Sequence, residues 1–307
     1  MKKVCVIAML LLFCLPSVYA DDKIRIVTTT ATLASLTDEI AGDDAEIHHV
    51  ASPKRSLHFV APTPRDVLKV KKADVFIHLG LDAEPWREPL LHAAGNVRFL
   101  GGAAAAIDTS RGVRLLEVPE AGRLSRLEGD IHIFGNPHYW TDPENARVMA
   151  ENIAEGLSLL YPEKRPGFES RLADFKKRLT DAEKEWMERM RPYRGSKVVT
   201  YHNTWTYFAV RYGLEIVGQI EPKPGIPPTS RHLDALARLM KKEGVGLIVK
   251  DSAYEDRTPN RIAAETGAVV LNLAQEVGEA GEAKDYVALM NYNVGQFAIS
   301  GKGGDRD

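Results

Sequence analysis

The chain has 307 residues, of which 44% are hydrophobic and 27% are charged, and its formal net charge is −2 at pH 7. This composition is typical of a globular protein with one large or two medium domains, and it excludes a fibrous or intrinsically disordered chain. The slightly acidic balance and the lack of a polybasic block also argue against a nucleic-acid partner.

Residues 1–20 are predicted to be a cleavable signal peptide. Lysines at 2 and 3 precede an apolar run at 4–15, and small residues lead to a cleavage site after Ala20. The run is shorter than the roughly 20 residues that a spanning helix needs. Both cysteines, Cys5 and Cys14, fall in this segment, so the mature chain is expected to have neither a disulfide nor a thiolate metal ligand. We therefore expect a bacterial periplasmic protein.

The first half of the mature chain alternates between strand and helix patterns. Strands are predicted at 23–30, 45–52, 74–80 and 97–100, and helices at 32–42, 63–74 and 84–94. Alternation of this kind predicts a mostly parallel sheet with helices on both faces.

A polar, glycine-containing segment at 109–137 interrupts this alternation. A helix then begins at Pro143, with Asp142 in position to cap its first turn. A second helix is predicted at 168–191, where apolar residues recur at spacings of three and four and form one stripe. We interpret this long, charge-rich helix as a connection between two α/β halves.

The second half repeats the pattern of the first. Strands are predicted at 196–202, 214–220, 245–251 and 268–273, and helices at 204–213, 231–244, 259–267 and 284–299. The predicted fold is therefore α/β, with two lobes of mostly parallel sheet flanked by helices and joined by a long helix. The predicted divisions are a signal peptide at 1–20, an N-terminal lobe at 21–160, a linking helix at 161–192, a C-terminal lobe at 193–300 and a disordered tail at 301–307.

Four polar side chains lie in loops at the predicted cleft between the lobes, where ligands of open α/β sheets bind. His58 follows the second strand, His138 precedes the helix at Pro143, His202 ends a strand and Asp251 ends another. A single loop histidine is more often a packing or surface residue. Three imidazoles and a carboxylate at one level form a shell suited to Zn²⁺, with Mn²⁺ or Fe²⁺ as alternatives.

Two further residues are weaker candidates for the same cleft. Glu276 follows the strand at 268–273 and is a possible ligand, and His132 is a possible residue at the cleft entrance. The sequence has no GxGxxG motif and no P-loop, so nucleotide binding lacks support.

Four segments resemble the zinc- and manganese-binding solute-binding proteins of bacterial ABC importers. The similarity keeps the order of the motifs and extends from about residue 24 to 299; the segments are 57–86, 135–157, 196–218 and 256–273. The resemblance implies two α/β lobes joined by a long helix, a metal held between them, and delivery of that metal to a membrane permease.

By this resemblance His58, His138 and His202 occupy the first three ligand positions. Manganese-type members often have a carboxylate at the third position, so His202 favours zinc without excluding manganese. Many members have an aspartate where this chain has Ala274. Asp251 matches a position that is often acidic in the family, so the resemblance favours it as the fourth ligand, with water or Glu276 as the alternative.

The favoured function is a periplasmic, non-enzymatic metal receptor that acts as a monomer with an ABC permease. A zinc hydrolase is the first alternative, because three protein ligands and an open position activate water in catalytic zinc sites. A surface adhesin that uses the metal structurally is the second alternative.

Zinc-type relatives also often carry a histidine-rich loop after residue 110, of which this chain keeps only His132.

Overall fold

The computed structural model describes residues 23–119, 132–223 and 225–301. The predicted signal peptide at 1–20 and residues 302–307 of the predicted tail lie outside the described residues. Residue 301 is the last residue of the closing helix.

The N-terminal lobe contains a four-stranded parallel sheet in the order β2-β1-β3-β4. Its strands are β1 (Ile24–Thr28), β2 (Ala45–His49), β3 (Val75–His78) and β4 (Ala106–Asp108). The helices between them are α1 (Ala31–Ala41), α2 (Pro64–Lys72) and α3 (Arg87–Ala94). The predicted alternation of strands and parallel crossovers is confirmed in this lobe.

The C-terminal lobe has the same strand order, β6-β5-β7-β8, and its sheet is also parallel. Its strands are β5 (Lys197–Thr200), β6 (Glu215–Gln219), β7 (Leu247–Asp251) and β8 (Val269–Leu273). The helices of this lobe are α6 (Thr206–Tyr212), α7 (Ser230–Glu243), α8 (Arg257–Thr266) and α9 (Tyr286–Gly301). The carboxyl ends of the strands in both sheets lead into the loops that carry the candidate ligands.

Two helices connect the lobes, α4 (Pro143–Leu160) and α5 (Arg165–Met190). The stripe predicted from the sequence is buried along α5, where Phe175, Leu179 and Trp186 are completely inaccessible to solvent. This face packs against α1, α4 and α9. The long helix therefore links the lobes through a continuous apolar contact as well as through the chain.

The strand predicted at 97–100 is wrong. Residues Val97–Phe99 form a 3₁₀ turn, and the fourth strand of the sheet is the short β4 further along the chain. The reason lies in Asn96, whose side chain accepts the Arg98 amide and donates to the carbonyl of Ala73 at 3.1 Å. These side-chain bonds to the backbone compete with strand pairing and favour a local turn.

One apolar cluster extends through both lobes, and each lobe has a second cluster of its own. The shared cluster includes Leu33 of α1, Phe175 of α5, Phe208 of α6 and Leu289 of α9. Within the described residues, no helix combines the length and the apolar character that a membrane crossing requires. The shared core fixes the two lobes in one arrangement around the cleft.

Candidate metal centre

Three buried imidazoles meet between the lobes. His58 lies in a 3₁₀ turn after β2, His138 precedes the 3₁₀ turn that leads to α4, and His202 follows β5. Their exposed fractions are 5%, 2% and 4%. One ring nitrogen from each residue lies within 4.8 Å of the other two. The fold thus brings together three of the four residues selected from the sequence.

The spacing of these rings fits a tetrahedral ion. The ring centroids of His58 and His138 are 5.1 Å apart, those of His138 and His202 are 5.3 Å apart, and those of His58 and His202 are 5.8 Å apart. Imidazole nitrogens lie about 2.0–2.1 Å from zinc, which places tetrahedral ring centroids roughly 5 Å from one another. A zinc-sized ion therefore fits between the three rings with little rearrangement.

Hydrogen bonds at Nδ1 fix the tautomers of His58 and His138. His58 Nδ1 donates to the carbonyl of Ala83 at 3.1 Å, and His138 Nδ1 donates to Oδ1 of Asn136 at 3.0 Å. The amide of Asn136 is oriented by its own donation to the Asn203 carbonyl. With hydrogen at each Nδ1, both Nε2 atoms carry lone pairs, and they face each other at 3.1 Å. A cation between them removes this repulsion.

His202 is oriented by a carboxylate. Its Nδ1 donates to Oε2 of Glu221 at 2.6 Å, and the other oxygen of Glu221 accepts the Gly225 amide. His202 Nε2 is buried and has no hydrogen-bond partner among the described residues. The carboxylate fixes the orientation of the ring, so that its free nitrogen is directed towards the other two rings, as is usual for metal ligands.

Burial keeps two of the imidazoles neutral. Burial, together with the neighbouring imidazoles, lowers the pKa of His58 to about 3 and the pKa of His138 well below its usual value. Only a neutral imidazole has a lone pair to give a metal. These two side chains are therefore already in the ligand form at neutral pH.

The loop that carries His138 is held from both sides. The Trp140 indole donates to the carbonyl of Gln275 in the C-terminal lobe at 2.7 Å, and Tyr139 donates to the carbonyl of Leu79 in the N-terminal lobe at 2.7 Å. Asp142 accepts the Glu144 amide and caps α4, which confirms the predicted cap. A ligand held this firmly loses little conformational entropy when it binds an ion.

The two carboxylates considered as a fourth ligand do not join the group of converging nitrogens. Asp251 is buried at the end of β7, where burial and the Glu279 charge raise its pKa to about 8. Glu276 is buried after β8, where Oε2 accepts the Thr32 amide at 2.8 Å, and burial raises its pKa to about 7. Both side chains lie in the C-terminal lobe, and neither supplies an oxygen atom to the group formed by the three imidazole nitrogens.

Sequence reasoning missed the oxygen atoms that orient the rings. The Ala83 carbonyl and the Asn136 side chain carry no pattern that distinguishes them in the sequence. Glu221 could have been identified from the sequence, because it follows the strand at 214–220 and so lies at the same sheet edge as His202.

Comparison with known proteins agrees with this architecture. Residues 26–299 match the family model described as ZnuA, the periplasmic component A of the zinc-uptake complex. The match covers nearly all of the chain beyond the predicted signal peptide.

Two curated relatives bind metals according to their names. The chain is 28% identical over 296 residues to the zinc-binding lipoprotein AdcA of Streptococcus pneumoniae. The aligned region covers 94% of this chain and 58% of AdcA. It is 27% identical over 285 residues to the iron-binding protein YfeA of Yersinia pestis. This aligned region covers 90% of this chain and 86% of YfeA. The chain thus spans little more than half the length of AdcA.

A crystal structure of ZnuA superimposes on this fold with a TM-score of 0.74 at 23% identity, covering 91% of this chain and 99% of that one. At this level of identity the likeness establishes the fold. The two-lobed α/β architecture with its long linking helix is therefore shared with ZnuA.

Proposed function

The chain belongs to the family of the periplasmic component A of the zinc-uptake complex, and from this membership we propose that it captures a divalent transition metal, zinc first, for an ABC importer. The observation that carries the proposal is the convergence of three buried imidazoles at 4.8 Å or less. Each ring donates its Nδ1 hydrogen to an oxygen, so the three Nε2 atoms are left to the metal.

Zinc is the favoured ion because the ligands are neutral nitrogens. Imidazole suits zinc, whereas manganese prefers carboxylate, carbonyl and water oxygens. A histidine at 202, where manganese-type relatives often have a carboxylate, supports the same choice. Iron is the competing ion, since YfeA is named an iron-binding protein.

Capture by His58 and His138 releases few protons at neutral pH. Because burial keeps both rings in the neutral form, zinc need not displace a proton from either one. The ion exchanges its water shell for nitrogens that are already oriented, which favours tight binding over turnover. We infer a receptor rather than a hydrolase, whose zinc needs an accessible water position.

We also propose that the chain works as a monomer in the periplasm and delivers its ion to the permease of the importer. The support is the family description, which names a periplasmic component of an uptake complex. The signal peptide proposed at 1–20 is consistent with export.

Zinc titration of the wild-type chain and of His138→Ala, with a chelator as competitor, tests this function. We expect one tight site in the wild type and a loss of at least about 100-fold in the variant, because even outer-shell partners of ligands contribute 10–100-fold. Glu221→Gln is expected to lose affinity within that smaller range.

His92→Ala is the matched control, since His92 is exposed on α3 and is not one of the converging rings. It should titrate like the wild type. Equal zinc affinity in His138→Ala and the wild type would refute the proposed metal centre. Chelator-sensitive hydrolysis of ester or phosphate substrates would refute the proposed receptor function.

A further inference from the structure

A fourth imidazole lies beside the three converging rings. The ring centroid of His132 is 4.9 Å from that of His58 and 6.3 Å from that of His138. The first distance is slightly shorter than the 5.1–5.8 Å found among the three rings, and the second is about 0.5 Å longer than the longest of them. His132 therefore lies at the edge of the centre: none of its nitrogens joins the group of three converging nitrogens, and its ring must move towards them to bind the same ion.

The free nitrogen of His132 has the same character as that of His202. His132 Nδ1 donates to Oδ1 of Asp82 at 3.2 Å, which leaves the lone pair on Nε2. His132 Nε2 is buried and makes no hydrogen bond to any residue that the structure describes. A buried acceptor without a donor is unfavourable unless a ligand fills the position, and the same condition holds for both carboxylate oxygens of Asp251 and for Glu276 Oε1.

One turn orients two of the four rings. After β3 the backbone passes through three left-handed residues, with φ of +75° at Gly80, +54° at Leu81 and +56° at Asp82. Aspartate tolerates this conformation, but leucine adopts it only at an energetic cost, so contacts must hold Leu81 in place. The turn presents the Asp82 carboxylate to His132 and the Ala83 carbonyl to His58.

Charge balance also favours a nitrogen as the fourth ligand. A buried divalent cation among neutral imidazoles requires negative charge nearby. Two carboxylates supply this negative charge through hydrogen bonds to the rings. Glu221 accepts from His202, and Asp82 accepts from His132. Two negative charges match the charge of the ion without any carboxylate in contact with it.

We propose that His132 is the fourth metal ligand and that Asp82 positions it, so that the captured ion is held by four imidazoles. This inference rests on the proposed metal capture and names the group that completes its shell. It assigns to His132 the position for which Asp251, Glu276 and water were the candidates. Four nitrogens also strengthen the preference for zinc over manganese.

X-ray absorption at the zinc edge and chelator competition test the assignment on three variants. The wild type should show four imidazole nitrogens, and His132→Gln should show three with an affinity lower by about 100-fold. Asp82→Asn should keep four nitrogens with an affinity lower by about tenfold, the lower end for an outer-shell partner. His92→Gln, an exposed histidine, is the control and should match the wild type.

The double variant separates positioning from general destabilisation. If Asp82 acts through His132, Asp82→Asn has no further effect on zinc affinity in the His132→Gln background. Additive losses would overturn the role of Asp82, and metal-free melting curves would report any effect on folding.

Two outcomes would overturn the assignment of His132. One is a His132→Gln variant with wild-type affinity and an unchanged absorption spectrum, while His138→Ala still loses the ion; the capture function then stands and the fourth ligand is another group. The other is a wild-type chain that binds no zinc, which refutes the capture function together with this inference.

Discussion

At the scale of single residues, the least expected group is the buried acid Glu84. Its Oε1 accepts the Thr29 hydroxyl at 2.6 Å and the Leu79 amide at 2.7 Å. Burial raises its pKa to about 7, although both hydrogen bonds oppose the change. Glu84 directly follows Ala83, so it helps to fix the turn that orients His58.

The raised pKa predicts a pH-dependent contribution to stability. The folded chain binds the Glu84 proton more tightly than the unfolded chain, whose value is near 4.5. The contribution is therefore complete below about pH 4.5 and is lost as the pH rises through about 7, with an upper limit of about 3 kcal/mol.

Glu84→Gln keeps the acceptor oxygen and removes the titration. We expect the variant to gain stability relative to the wild type as the pH rises from 5 to 8, measured by denaturant unfolding at each pH. Parallel profiles for the two proteins would contradict the assigned pKa. Other buried titrating groups are common to both proteins and cancel in the difference.

At the scale of elements, the start of α4 connects the His138 loop to both lobes. Asp142 caps this helix and also accepts from Arg211 of α6 at 2.7 Å, while Arg211 donates to Glu183 of α5 at 3.1 Å. Burial raises the pKa of Asp142 despite the neighbouring guanidinium. Asp142 thus both caps α4 and pairs with Arg211, and because burial opposes its negative charge we expect the capping bond to contribute more to stability.

Two substitutions at Asp142 distinguish the cap from the ion pair. Asparagine caps helices as well as aspartate does, so Asp142→Asn should leave the free energy of unfolding nearly unchanged, whereas Asp142→Ala should lower it by about 1 kcal/mol. Thermal and denaturant unfolding measure both. An equal loss in the two variants would show that the pair with Arg211 dominates.

At the scale of the whole molecule, the apolar core shared by the lobes limits their relative movement. The face of α5 that packs against α1 and α9 includes Phe175 and Trp186, and the Trp186 indole donates to Asn291 of α9 at 2.7 Å. Wide separation of the lobes would expose this surface at about 25 cal/mol per Å² of apolar area. Metal entry and release are therefore expected to involve the cleft loops.

Small-angle scattering tests this rigidity directly. We expect superimposable profiles for the metal-free and zinc-loaded chains, because the lobes share one packed core. A substantial compaction on zinc binding would show that the lobes close as rigid bodies, contrary to this expectation.

Local patterns predicted most of the fold and part of the candidate centre. Strand and helix periods and the Asp142 cap depend on neighbouring residues, so the sequence predicts α5 at 168–191 against the observed Arg165–Met190. The position after strands, together with the resemblance to a known family, selected His58, His138 and His202.

Only the tertiary structure decided which groups meet. His58 and His138 are 80 positions apart, and Asp82 and His132 are 50 apart, yet each pair is in contact. No local pattern predicts such contacts, because they depend on how two sheets and their loops pack around one cleft. For the same reason the sequence could not show that Asp251, at the end of β7, lies outside the group of converging nitrogens.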